Sequence, residues 1–311
     1  MIGRVQFGIA IPQTFIREPV RTALIRRVIR RAEELEFHSL WVQEEILDAP
    51  ATLDPVELLT YAAALTQRAR LGTAVLVMPT RSPVYLAKSL ATLDQLSQGR
   101  LIVGVGLGGH TGHYSAFGIP ADHRTARFTA TIELMQRLWV EPLVTSASQF
   151  WTLERVSLEP KPVQKPHPPI WVGARHPAAL RRAVELGDGF IGAGASSVGE
   201  FAEAVRIVRD CLAERGRDPA QFRISKRVYI AVHGDRTRAG RMLEEWLGRF
   251  YRTTGLAEKV AVWGEPEECV ARLSEVAARG ADLIILNPVF EELEQMERLA
   301  TEVLPWVQSR D

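Results

Sequence analysis

The sequence predicts an α/β protein in which eight parallel strands alternate with helices and close as a (β/α)8 barrel. Three observations lead there. β-prone runs alternate with amphipathic stretches from one end to the other, eight such runs can be counted, and 311 residues suffice for a barrel with insertions. An open doubly wound sheet shows the same local alternation and is the competing arrangement, and the count favours the barrel.

In chain order, the first strand, residues 5–11, is marked by the alternating apolar residues of VQFGIAIP, and apolar positions at helical spacing follow over 20–35. Residues 39–42 form the second strand and 55–66 its helix, opened by Asp54-Pro55 with proline in the first turn, where its missing N–H costs little. The third strand, 71–77, carries small and branched side chains with no titratable group before Arg81, which reads as barrel core. Ser82-Pro83 then opens a helix over 83–96. The fourth strand, 101–106, runs into clustered glycines, and its helix covers 126–139. The fifth and sixth strands, 169–173 and 189–193, are followed by helical spacing over 177–186 and 198–215. After the seventh, 225–232, come 238–251 and 266–279, the latter opened by Glu265-Pro266. The eighth, 282–286, leads to a closing helix over 291–307.

Two connections are too long for simple barrel loops, and excess length on a barrel usually serves an active site: 107–125 after strand 4 and 143–168 before strand 5. The second contains FWTLERVSLEPKPVQKPHPP, a short β-prone excursion followed by a proline-stiffened approach to the fifth strand. There is no low-complexity tail, solenoid repeat or interdomain linker, so the expectation is one domain over 1–311.

Apolar residues make up 46% of the chain and charged residues 24%, enough for a core without metal or disulfide staples. A net charge of +1, from 38 basic and 37 acidic side chains interspersed along the chain, offers no footprint for nucleic acid or an anionic membrane. No apolar run reaches the roughly 18 residues of a membrane span, and the N-terminus lacks the layout of a secretory signal, so a cytoplasmic location is expected. Cys211 and Cys269 lie in helical patterning and read as buried apolar side chains rather than a disulfide or zinc site.

Four segments could carry chemistry. GVGLGG, 104–109, either relieves crowding at a strand end or lets a flat ligand approach the backbone. It is a poor dinucleotide fingerprint, because it follows the fourth strand and runs into a loop rather than a helix. SLWVQEEI ends the second strand in Glu44 and Glu45, and adjacent residues of an extended segment point to opposite sides, so one carboxylate faces the mouth. PIWVGARHPAAL sets Gly173 and Ala174 at a strand end, with Arg175 beside the N-terminus of a helix, either an anion site or an ordinary βα turn. GFIGAGASS is similarly small and polar. His110 and His113 stand three apart in the loop after the glycines with no third ligand, so no metal site is expected, whereas a histidine beside a barrel mouth can donate a proton. No G-x-S-x-G elbow or hydrolase triad is present.

Taken together, FHSLWVQEE, DPVELLTYAAALTQRARLGTAVLVMPTRSPVYLAKSLATLDQLSQGRLIVGVGLG, EPKPVQKPHPPIWVGARHPAALRRAVELGDGF and GADLIILNPV resemble the luciferase-like monooxygenase family. The likeness is greatest to the deazaflavin-using branch related to methylenetetrahydromethanopterin reductase. The resemblance implies a TIM barrel with coenzyme F420 across its C-terminal mouth, FMN being the alternative, and hydride transfer to a small organic substrate. It also implies a cis peptide at Ala74-Val75 behind the ring, with Leu107, Gly108 and Gly109 bordering it. Gly173, Ala174 and Arg175 would lie near the phosphate, and Glu44 at the end of the second strand. Glu45 stands where many F420-dependent members carry histidine, and Gly109 where some carry an acid or tryptophan. Proton handling therefore falls to Glu45, to His110, or to substrate or water. A homodimer follows from the same likeness. The FMN alternative would be a monooxygenase needing a flavin reductase partner, and the two departures also leave room for a flavin-binding barrel without turnover.

Overall fold

A computed structural model describes residues 5–16, 19–47, 50–109, 114–120 and 122–308. Eight parallel strands form a closed ring: β1 (Gln6–Ala10), β2 (Ser39–Val42), β3 (Arg70–Thr73, continued as Leu76–Val77), β4 (Leu101–Gly106), β5 (Ile170–Gly173), β6 (Gly189–Gly192), β7 (Arg223–Val232) and β8 (Leu283–Asn287). Each pairs with its neighbour in sequence. β8 closes on β1 with Gln6 opposite Leu283, and β4 meets β5 with Val103 opposite Ile170. The open-sheet alternative is thereby removed. The longer helices are α1 (Thr22–Glu34), α2 (Pro55–Leu65), α3 (Pro83–Leu96), α4 (Arg124–Val140), α5 (Pro177–Leu186), α6 (Val198–Glu214), α7 (Arg236–Tyr251), α8 (Pro266–Ala278) and α9 (Glu292–Arg298), with a single helical turn at Ala257–Val260.

Local chemistry explains the helix boundaries. Asp54 accepts a hydrogen bond from the Val56 amide ahead of Pro55, and Ser197 with Glu200 forms a reciprocal capping box on α6. Helix α1 buries Ile25, Val28, Ile29 and Ala32 against the barrel. The predicted closing helix over 291–307 is instead α9, a π turn (Leu299–Val303) and a 3-10 turn (Leu304–Trp306). Pro305 has no amide to continue the α-helical ladder.

The barrel interior is packed rather than hollow. Trp41, Ile102, Trp171, Ile191, Leu283 and Ile285 fill it, with Ala74 and Val75 on top, and the two indoles lie 5.7 Å apart. Trp41 fits because β1 and β3 present glycines beside it: a Cβ on Gly8 would stand 2.5 Å from its Nε1, and one on Gly72 2.4 Å from its Cζ3. Burying two indoles of roughly 200 Å² each contributes about 10 kcal/mol of transfer free energy before entropy is subtracted.

The long connection before β5 contains an antiparallel hairpin, Val144–Ala147 with Thr152–Val156. A further excursion, after β7, was not expected. That strand outruns the ring, and Ile230 to Val232 pair with Val262 to Gly264. Together with α7 this extension encloses a small second core of Tyr229, Ala231, Ala239, Leu243, Leu247 and Val289.

Candidate functional site

The mouth at the strands' C-terminal ends is organised by a break in β3. The run expected to be one strand over 71–77 is interrupted at Ala74–Val75, whose peptide bond is cis, as the family resemblance implied. Before the break, the buried Thr73 hydroxyl donates to the Gly104 carbonyl at 2.7 Å and accepts from the Gly104 amide at 2.9 Å, and the Ala74 amide donates to the Val42 carbonyl.

The bulge rests on glycine. A Cβ at Gly104 would stand 1.7 Å from the Thr73 carbonyl oxygen, one at Gly106 2.5 Å from Val75 Cγ2, and one at Gly108 2.7 Å from Val77 Cγ1. Gly104 and Gly106, two apart on one face of β4, therefore make room for β3, while Gly108 lies past the strand with φ at +73°. Gly109 differs, being exposed with open space where a side chain would go.

Behind the bulge lies Glu44. Its side chain is 1% exposed and accepts from the Val77 amide and from both Nε (2.7 Å) and Nη2 of Arg81, which also reaches Asp54 at 3.0 Å. Burial pushes the Glu44 carboxyl up, and the Arg81 guanidinium and Val77 amide oppose that shift. Glu44 thus fixes the second half of β3, and the adjacent Glu45 is half-buried.

Across the ring, β7 and β8 supply a polar and aromatic half. The buried Arg227 donates from Nε to Asn287 Oδ1 at 2.9 Å, with its Cζ 5.0 Å from the Tyr229 ring centre. The Tyr229 hydroxyl is 2.8 Å from that of Tyr251. Burial raises the Tyr229 phenol well above its ordinary value, Tyr251 and the negative charge of Glu45 add to that, and Arg227 opposes it. Trp246 of α7 lies 5.6 Å from Tyr229. A cleft runs between Gln13, Gln43, Ala74, Arg227, Trp246 and Asn287. Gln13 ties the loops after β1 and β2, donating to the carbonyls of Gln43 (2.7 Å) and Leu53 (2.6 Å).

On the β5–β6 side, Gly173 and Ala174 are half-buried at the end of β5, and exposed Arg175 stands two residues before α5, 3.6 Å from Glu200. The loop after β6 is held from below by Lys226, whose ammonium lies 2.5 Å from the Ala193 carbonyl, 2.8 Å from that of Ser196 and 3.1 Å from Ser196 Oγ. Burial lowers the Lys226 pKa to about 7.

The structure therefore brings Ala74, Val75, Leu107, Gly108, Gly109, Gly173 and Ala174 to one rim, with Arg175 at its edge and Glu45 half-buried at the end of β2. Glu44 is not in the open mouth, and its carboxylate is consumed by Arg81 and Val77. His110 and His113 lie outside the described residues. Sequence reasoning missed Arg81, Lys226, Arg227, Tyr229, Trp246 and Asn287. The one available signal was the pair of charges in SKRVYIAV, which interrupts an otherwise apolar strand.

A parallel barrel with a bulged third strand and a cleft above it defines a class of ligand-binding barrel, and comparison with known proteins gives its family. The luciferase-like monooxygenase family matches residues 5–259, and the chain belongs to it. An uncharacterized protein of Mycobacterium tuberculosis (strain ATCC 25618 / H37Rv) is 37% identical over 168 residues, 54% of this chain and 58% of that protein. The chain thus spans little more than half the length of that relative. The F420-dependent glucose-6-phosphate dehydrogenase of Beutenbergia cavernae is 27% identical over 314 residues, covering 90% of this chain and 92% of that protein. Among solved structures, the monooxygenase RslO1 of Streptomyces bottropensis superposes with a TM-score of 0.82 at 28% identity, covering 96% of this chain and 99% of that one. An F420-dependent secondary alcohol dehydrogenase in complex with an F420-acetone adduct shares the fold (TM-score 0.84, 19% identity, 99% and 100% coverage). Family members are thus oxidoreductases or monooxygenases, some of them F420-dependent.

Proposed function

We propose that this protein transfers a hydride between coenzyme F420 and a small organic substrate. The observation that carries the reading is the bulge at Ala74–Val75, seated on Gly106 and Gly173 and half-exposed beneath a cleft open to the rim. The residues fit a planar tricyclic group. Ala74 and Val75 offer an apolar floor without a polar side chain, Leu107 to Gly109 border it, and Gly109 leaves space for a neighbour. Gly173, Ala174 and Arg175, ahead of α5, would hold a phosphate by amide and guanidinium donors. The F420-dependent relative that matches nine-tenths of the chain supports the same choice.

When bound, the deazaflavin supplies the hydride, and the protein supplies position and a site shielded from water. Glu44, Arg81 and the Val77 amide keep the floor in register. Glu45, next to Glu44 and half-buried, is the proposed group that holds or releases a proton, with His110, outside the described residues, as the other candidate. The monooxygenase RslO1, at 28% identity, favours a second reading, a monooxygenase, for which the sequence resemblance implies FMN and a reductase partner. Titration of the purified protein with F420 and with FMN, followed by fluorescence quenching, separates the two. F420 binding followed by substrate-dependent oxidation of its reduced form supports the first. Tight FMN binding alone, with oxygen uptake, overturns it.

A homodimer is part of the proposal, supported by the exposed Tyr61, Val84, Tyr85 and Leu96 on α2 and α3. Sedimentation as a monomer at micromolar concentration counts against it. No helix among the described residues is long and apolar enough to cross a membrane.

A further inference from the structure

Arg227 is a buried cation without a matching anion. It is 8% exposed, it lines the cleft, and both of its hydrogen bonds, from Nε and Nη2, go to one neutral oxygen, Asn287 Oδ1. Nη1 has no protein acceptor among the described residues, and no carboxylate lies within ion-pairing reach of the guanidinium. The side chain is fixed on every other side. Its Cζ lies against the Tyr229 ring, its Cδ would be 3.4 Å from a Cβ on Gly194, and β7 is paired on both edges. A desolvated guanidinium held rigid with one free edge is half of a charge-assisted, forked pair, and the missing half is a planar anion.

The surroundings restrict what that anion is attached to. Trp246, Ile285, Pro288 and Val289 give the cleft an apolar and aromatic wall. Two acidic side chains stand nearby: Glu292 at the cleft, 3.6 Å from Arg21, and Glu45, whose charge reaches Tyr229. Their negative charge disfavours a dianion such as a phosphate ester and leaves room for a single negative charge.

We propose that Arg227, oriented by Asn287, binds the carboxylate of a monocarboxylic ligand whose apolar remainder lies against Trp246. Naming that ligand the substrate rests on the hydride-transfer reading above, while the binding site itself does not.

The test uses the full chain, with benzoate as probe and benzamide as its uncharged counterpart, followed by saturation-transfer NMR and Trp fluorescence. Benzoate should bind saturably and benzamide at least about tenfold more weakly. Arg227→Gln should weaken benzoate by a similar factor and Arg227→Lys by less, with circular dichroism and F420 or FMN affinity within about twofold of wild type. Benzamide binding as well as benzoate, or no saturable benzoate binding, overturns the proposal without recourse to a variant. So does Arg227→Gln weakening the coenzyme while leaving benzoate unchanged, which would assign the guanidinium to the coenzyme. Benzoate binding in a protein that takes neither F420 nor FMN supports the carboxylate site and removes the oxidoreductase reading.

Discussion

Two glycines five residues apart in GVGLGG should respond oppositely to the same added methyl group. In Gly104→Ala the new Cβ would stand 1.7 Å from the Thr73 carbonyl oxygen and 2.8 Å from Ile191 Cδ1. Ile191 can turn aside, but the carbonyl is backbone, and restoring ordinary contact near 3.5 Å requires moving β3 off β4 by roughly 2 Å. That displacement breaks both hydrogen bonds between the Thr73 hydroxyl and Gly104. Overpacking of about 1–3 kcal/mol and two lost hydrogen bonds of about 1 kcal/mol each give a loss of about 3–5 kcal/mol. For a chain of this size that corresponds to a fall of about 5–8 °C in the unfolding midpoint. Gly109→Ala meets nothing within 4 Å and should stay within about 0.5 kcal/mol of wild type. Urea unfolding followed by circular dichroism measures both. A Gly104→Ala protein as stable as wild type, or a Gly109→Ala protein equally damaged, would refute the claim that the first glycines of the motif exist to seat the bulge.

Three further outcomes follow from the same packing. Glu44→Ala leaves Arg81 with Asp54 alone and the Val77 amide without its acceptor, a loss of about 3–5 kcal/mol in urea unfolding, and a loss below about 1 kcal/mol would show the pair to be dispensable. Trp41→Ala should cost about 3–5 kcal/mol and Gly8→Ala about 1–3 kcal/mol, yet the double variant should cost less than the sum, because the Cβ at position 8 occupies space the indole vacates. Strict additivity would sink this account. Lys226 ionises near pH 7 when folded but near the ordinary lysine value when unfolded, so between the two the unfolded chain binds more protons and stability rises with pH. The difference in unfolding free energy between wild type and Lys226→Met should therefore grow by about 1.4 kcal/mol per pH unit from just above 7 towards 10, and a flat difference would mean the amine stays charged in its pocket.

The ring of strands was legible because parallel barrel strands are buried on both faces and read as short apolar runs, and proline at positions 55, 83, 177 and 266 marked helix starts. What escaped depends on contacts between distant segments. Nothing in LGTAVLV signals a break by periodicity, and only family likeness pointed to Ala74-Val75. Glycines at 104 and 106 do carry the two-residue spacing of one strand face, but what they face is β3, which the spacing does not name. That Glu44 is the buried member of the Glu44–Glu45 pair is set by Arg81, 37 residues on. Arg227 and Asn287 are 60 residues apart, and neither has meaning alone. The helix over 238–251 was visible as a helix, yet one more helix between two strands does not reveal that it roofs the mouth.

These contacts divide the mouth into two parts that can change independently. In the ring, β3 and β7 are four strands apart and so lie opposite each other. On the β3 side the bulge packs against glycines of β4 and β5, with the Thr73 carbonyl over Gly104 and the Val75 side chain over Gly106 and Gly173, so an added methyl group is costly there, most of all at Gly104, and the floor under the proposed ring tolerates little variation. On the β7 side the wall is built from side chains, Arg227, Tyr229 and Trp246, and Trp246 belongs to an excursion with its own small core. Substitutions at Trp246 can therefore reshape the ligand space without disturbing the barrel. Under the proposed function, Trp246→Ala should change which carboxylates bind while leaving coenzyme affinity within about twofold, and a parallel loss of both would show that the two halves are one site.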